Sequence, residues 1–170
     1  GNKPAGVMAS FDNKHIYISN PGNQEISVIE TDSLEVVKTI TVGQAPLALT
    51  ISHDNQTLFV ADWYMDSVFS INTQSFEIKN QYKVGDAPSG LAISSDDKLL
   101  FVANKKDNSV MFINIDSGKI QSEIQVGTAP FGITVDYPKQ LLYIVNVQSE
   151  DVTVVDIKKA KVINSFPVDT

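Results

Sequence analysis

The chain of 170 residues is 42% hydrophobic and 19% charged, the balance of a globular protein long enough to bury a core. All 13 basic residues are lysine and the net charge is -7, which argues against nucleic acid, whose phosphates demand a basic face, and against an anionic membrane surface. Without cysteine there is no disulfide, thiolate metal site or thiol nucleophile, and without arginine no bidentate clamp for phosphate or carboxylate.

No apolar run approaches the roughly 18 residues of a spanning helix, so no membrane insertion is expected. What organises the chain is a period: Pro4, Pro46, Pro88 and Pro130 stand 42 residues apart with no insertion, and four units fill all but two of the 170 residues. Each unit opens on a Gly-x-x-Pro turn (Gly1 to Pro4, Gly43 to Pro46, Gly85 to Pro88, Gly127 to Pro130). Proline is expected to push its predecessor to an extended state, re-aiming the chain before a new strand.

A first, innermost strand follows, small and apolar: Gly6-Val7-Met8-Ala9 and its counterparts at Ala48, Gly90 and Gly132. Asp12-Asn13, Asp54-Asn55 and Asp96-Asp97 suit the positive φ of a two-residue hairpin, whereas Pro138-Lys139 requires another turn type in the fourth copy. The second strand is almost continuously apolar and carries an aromatic column, Tyr17, Phe59, Phe101 and Tyr143. It ends at Asn20, Asp62, Asn104 and Asn146, residues that favour side-chain-to-backbone turns. A third apolar strand follows, then a turn clearest at Asp116-Ser117-Gly118 and a fourth strand where apolar and polar residues alternate, marking an edge near water.

Four short strands per unit, joined by tight turns and repeated without helices, describe an all-β β-propeller of four 42-residue blades, each a four-stranded antiparallel sheet. The blades are expected at about 1–41, 42–83, 84–125 and 126–170, in a single repeat domain spanning residues 1–170. Residues 88–114, P-S-G-L-A-I-S-S-D-D-K-L-L-F-V-A-N-K-K-D-N-S-V-M-F-I-N, resemble the YVTN-type β-propeller repeat of surface-layer-like and YncE-like propellers. The resemblance covers the whole chain. It implies an extracellular or cell-surface location, and a fold that serves adhesion-like scaffolds, lactonase-like enzymes and redox-cofactor propellers alike. Ser95, Asp97 and Ala48 depart from the family pattern at turns.

Catalytic chemistry finds little footing. His15 and His53, the two histidines, occupy different positions of the repeat and lack partners at metal or acid–base spacing. Asp96-Asp97 and Glu150-Asp151 belong to turns, no G-x-S-x-G elbow occurs, and Asn55-Gln56-Thr57 is a lone glycosylation sequon. No catalytic residue, metal site or cofactor is therefore expected.

One loop breaks the repeat. Where three blades read P-G-N-Q, K-K-D-N and V-Q-S-E, the second has Trp63, Tyr64, Met65 and Asp66 after Asp62, with the one tryptophan of the chain. Such an aromatic tip has the composition of an interface hot spot, its rival reading being local packing over the blade edge. Propellers bind at the axis mouth, lined by the fourth-to-first and second-to-third loops, which here contribute Lys3, Gln44, Asp86 and Thr128 beside the Trp63 loop. The expectation is a non-catalytic binding or scaffold module for a protein or surface ligand. The alternatives are a lactonase-like or redox-cofactor enzyme, and a fragment of a longer propeller. A closed four-blade ring would turn about 90° per blade, against roughly 45 to 51° in rings of seven or eight. Leu49, Ile51, Leu91, Ile93, Ile133 and Val135 are bulky for so tight an axis, so self-association of half-propellers into a homodimeric ring is expected over a four-blade monomer.

Overall fold

Short apolar runs punctuated by Asn, Asp and Gly satisfy their backbone hydrogen bonds as antiparallel strands. In the computed structural model, which describes residues 1–168, every repeat does so; Asp169 and Thr170, the end of the expected fourth blade, lie outside the described residues. Blade 1 comprises β1 (Val7–Ala9), β2 (His15–Asn20), β3 (Glu25–Glu30) and β4 (Val36–Thr41), and blade 2 comprises β5 (Pro46–Ile51), β6 (Thr57–Asp62), β7 (Ser67–Asn72) and β8 (Ile78–Lys83). Blade 3 comprises β9 (Pro88–Ile93), β10 (Leu99–Asn104), β11 (Ser109–Asn114) and β12 (Ile120–Gln125). Blade 4 comprises β13 (Pro130–Asp136), β14 (Leu141–Asn146), β15 (Asp151–Asp156) and β16 (Lys161–Pro167). Each forms one sheet with its strands in sequence order, so every blade is contiguous in the chain.

The chain divides into two compact units, blades 1 and 2 (Gly1–Lys83) and blades 3 and 4 (from Val84). In the first, Tyr17, Ile26, Val28 and Ile40 of blade 1 pack in one core with Leu49, Leu58, Val60, Phe69 and Ile71 of blade 2. In the second, Phe101, Val110, Phe112 and Ile124 of blade 3 pack with Leu142, Ile144, Val155 and Ile157 of blade 4. Of the aromatic column, Tyr17, Phe59 and Phe101 are buried and Tyr143 is half-buried. The fourth strands stay wet: β4, β8 and β12 each bury one residue, Ile40, Tyr82 and Ile124.

A feature without sequence signature recurs between the third and fourth strands. The register slips after Val28, Ser70, Phe112 and Val154, the same repeat position in every blade. A bulge there strengthens the right-handed twist of each outer edge, which discourages pairing with another chain. The turn just beyond holds Leu34, Phe76, Gly118 and Ala160 at positive φ, so only blade 3 carries the glycine that fits it without strain.

The first hairpin differs from the two-residue form. Ser10 N donates to His15 O and Asn13 N to Ser10 O, which makes a four-residue loop over 11–14. Asn13, Asn55 and Asp97 take the positive φ, while in the fourth copy Gln140 does so one residue later. The serine before each loop explains the added length. Ser52 Oγ donates to Asp54 Oδ1 at 2.5 Å and accepts from Thr57 N at 3.0 Å; Ser10–Asp12 and Ser94–Asp96 repeat the arrangement. The proline turns also depart from expectation: Lys3, Ala87 and Ala129, each preceding proline, are left-handed rather than extended. The curl turns the amides of these loops inward, so that Thr128 N meets Ser149 Oγ and Ala129 N meets Asn108 Oδ1.

The serine hydroxyl is the first cause that holds the carboxyls of Asp12, Asp54 and Asp96 below the ordinary aspartate range. A depressed folded pKa contributes stability above the unfolded value, near 3.9, that is lost as pH falls through the folded one. Ser52→Ala should therefore move the Asp54 carboxyl back up, read by NMR titration, and shrink the loss of stability below about pH 4. An Asp54 titration unchanged by the substitution would refute this account of the hairpin.

Candidate functional site

At the end of unit 1 where the Gly-x-x-Pro turn meets the loop after β6, one buried carboxylate fixes two segments. Asp62 is fully buried. Its Oδ2 accepts Gln44 N at 2.6 Å and Ala45 N at 2.8 Å, and its Oδ1 accepts Tyr64 N at 3.1 Å and Met65 N at 2.9 Å. Trp63 N donates back to Ala45 O at 3.0 Å. Gly43 makes room: its φ is +59°, and a Cβ there would lie 1.9 Å from Asp62 Oδ2. Four amides on one carboxylate satisfy a buried charge that would otherwise be costly.

On this base the loop divides its side chains. Tyr64 projects at the tip with 72% of its surface exposed, Trp63 is half-buried, and Met65 turns back to pack against the core of blades 1 and 2. Asp66 takes positive φ, as Gln24, Asn108 and Glu150 do at the same repeat position, and pairs with Lys83 at 3.8 Å on the surface. The structure thus brings Gln44 together with residues 62–66, through the backbone of Gln44.

In unit 2, Asp86 N donates to Asp107 Oδ2 at 2.6 Å and its carboxylate meets Lys106 Nζ at 3.1 Å. Thr128 N donates to Ser149 Oγ at 2.8 Å while its carbonyl accepts Gln148 N. Both residues therefore tie their Gly-x-x-Pro turn to the loop that follows the second strand of the same blade. Blades 1, 3 and 4 place a buried asparagine where blade 2 has Asp62. Asn20 Nδ2 donates to Ser27 Oγ, Asn104 Nδ2 to Ser109 Oγ, and Asn146 Nδ2 to Asp151 and Thr153.

A second concavity was not evident in the sequence. A cleft of about 290 Å³ between the first hairpins of blades 1 and 2 is lined by Asp12, Lys14, His15, Tyr17, Asp54 and Gln74, among others. Both carboxylates there are engaged by hairpin hydroxyls, and His53 lies beside it with its ring stacked on Phe11 at 4.9 Å. The signal that could have found this cleft is the repeat itself, since His15 and Tyr17 occupy alternate positions on the blade face that meets its neighbour. Among the described residues no group of three or more His, Asp or Glu side chains is placed to hold a metal ion.

The family model described as YNCE-like beta-propeller matches residues 1–140. Among solved structures, hydrazine synthase of Kuenenia stuttgartiensis is similar at a TM-score of 0.89 and 24% identity, over 95% of this chain and 48% of that one. U3-55K is similar at a TM-score of 0.84 and 17% identity, over 96% of this chain and 51% of that one. The chain thus spans about half the length of either, and at these identities the likeness shows the fold alone. No curated protein matches.

Removing the Asp62 carboxylate strands four amides at the base of the loop. Asp62→Ala should lower the unfolding free energy by about 3 kcal/mol, with Asp62→Asn, the residue of the other blades, losing less. Urea unfolding measures both; an alanine variant as stable as the parent would show that the carboxylate does not hold the loop.

Proposed function

This chain belongs to the YncE-like β-propeller family, and from that premise we propose that it is a non-catalytic binding module. It recognises a protein or surface ligand through the loops at the Gly-x-x-Pro end of its blades. The observation that carries the reading is the pairing of an exposed aromatic, Tyr64, with a base locked by Asp62. A tyrosine presented on a fixed backbone gives contact area with little ordering entropy left to lose on binding. Trp63 beside it supplies a half-buried apolar flank, and Asp66 with Lys83 a charged rim. Gln44, Asp86 and Thr128 contribute as polar members of turns of the same kind. The resemblance in the repeat supports a cell-surface or extracellular setting for this recognition.

Panning a displayed random-peptide library against the chain supplies a probe. Selected peptides should bind Tyr64→Ala or Trp63→Ala about 30-fold more weakly, the loss of about 2 kcal/mol typical of an aromatic hot spot, with the melting temperature nearly unchanged. Peptides that bind the variants as well as the parent, or variants that melt several degrees lower with binding intact, would assign these side chains to packing. Lactone turnover abolished by Asp86→Asn would instead favour the enzyme reading.

A further inference from the structure

Within each unit the two blades meet through the same contact, made once in unit 1 and once in unit 2. Tyr17, Ile26 and Ile40 of blade 1 correspond in the repeat to Phe101, Val110 and Ile124 of blade 3, and form the leading face of their blade. Leu49, Leu58 and Val60 of blade 2 correspond to Ile133, Leu142 and Ile144 of blade 4, and form the trailing face that receives it. At the inner edge the backbones come so close that no side chain fits. A Cβ on Gly6 would lie 2.2 Å from Leu47 O, and one on Gly90 would lie 2.3 Å from Phe131 O.

The first blade also has a trailing face and the last a leading face, and both are open. Val7, the counterpart of Leu49, is 71% exposed where Leu49 is 9%. Ile16 and Ile18 are half-buried where Leu58 and Val60 are fully buried. On blade 4, Val145, Phe166 and Val168 are 44%, 41% and 57% exposed, whereas Ser19, Ile40 and Val42 at the same positions of blade 1 are 0%, 6% and 1%. Gly132, the counterpart of Gly6 and Gly90, would meet only Val145, at 3.9 Å. Apolar patches of this kind on a soluble chain mark an interaction surface.

We propose that the leading face of blade 4 docks onto the trailing face of blade 1 of a second copy of this chain. The Ala5 carbonyl of that copy then approaches Gly132 as Leu47 O approaches Gly6. The occupant follows from the repeat: Ala5 is the residue that stands where Leu47 and Phe131 stand, and Val7, Ile16 and Ile18 are the trailing-face set. A partner of unrelated fold would have to reproduce both the backbone approach at Gly132 and this apolar row. A two-fold pair makes the contact twice, leading face to trailing face in each direction, and leaves neither patch open.

Sedimentation equilibrium of the 170-residue chain at micromolar concentration should give about twice 18.6 kDa. Val145→Lys and Val7→Lys each alter a residue already exposed in the single chain, one on each face, so folding should be retained and is checked by circular dichroism. Either variant alone should lose the pair. An equimolar mixture of the two should regain it, because one unaltered leading face then meets one unaltered trailing face. A parent that sediments at 18.6 kDa, or a pair that survives both substitutions, overturns the proposal.

Discussion

A four-stranded sheet that is apolar on both faces cannot bury them alone; it needs a sheet on each side. The other properties of this chain follow from that constraint. It explains why the repeat places Gly6 and Gly90 at the inner edge, where Leu47 O and Phe131 O come within contact of the bare backbone. It explains why the second and third strands are nearly continuous in apolar residues, while the fourth, at the periphery, alternates. The stacked sheets are held by side-chain burial and by few cross-blade hydrogen bonds, such as Ser19 Oγ to Leu47 O at 2.6 Å and Ser89 Oγ to Pro130 O at 2.8 Å.

The second device is polar and works within a blade. A buried Asn or Asp at the end of the second strand lies beneath the Gly-x-x-Pro turn, at a distance where a Cβ on the turn glycine would overlap it. In blade 2 the carboxylate replaces the amide, and two acceptor oxygens in place of one collect amides from both segments. A charge so placed loses its water and needs those donors, which makes the geometry of the loop stiff. The recognition loop and the stiffest turn of the unit therefore share one residue.

Much of the fold was legible because the 42-residue period fixes strand number, order and blade limits together. Asn20, Asp62, Asn104 and Asn146 could be read as turn formers, but their burial could not, since burial depends on the Gly-x-x-Pro turn folding over them. The bulges after Val28, Ser70, Phe112 and Val154 leave no trace because no special residue is needed to make them. The third-to-fourth turn could be read from Gly118 alone; Leu34, Phe76 and Ala160 adopt the same conformation because the strands on either side dictate it. Left-handed Lys3, Ala87 and Ala129 show tertiary contacts overriding the usual bias before proline. At the candidate site the composition W-Y-M marked the loop, yet it could not say which side chain faces water. That was decided by Asp62 below and by the core that takes up Met65.

The position of that loop follows from what the repeat leaves unconstrained. Strand residues serve stacking on both sides, turn residues serve the buried Asn or Asp, and a change in either disturbs a contact that recurs along the chain. The segment between the second and third strands has one obligation, the left-handed residue at Gln24, Asp66, Asn108 and Glu150. The two or three residues before it are held by their backbones, so their side chains are free to vary. Blade 2 uses that freedom for Trp63 and Tyr64, and strengthens the backbone beneath them with a carboxylate. A rigid base under a variable tip is the arrangement by which scaffolds carry recognition without disturbing their cores.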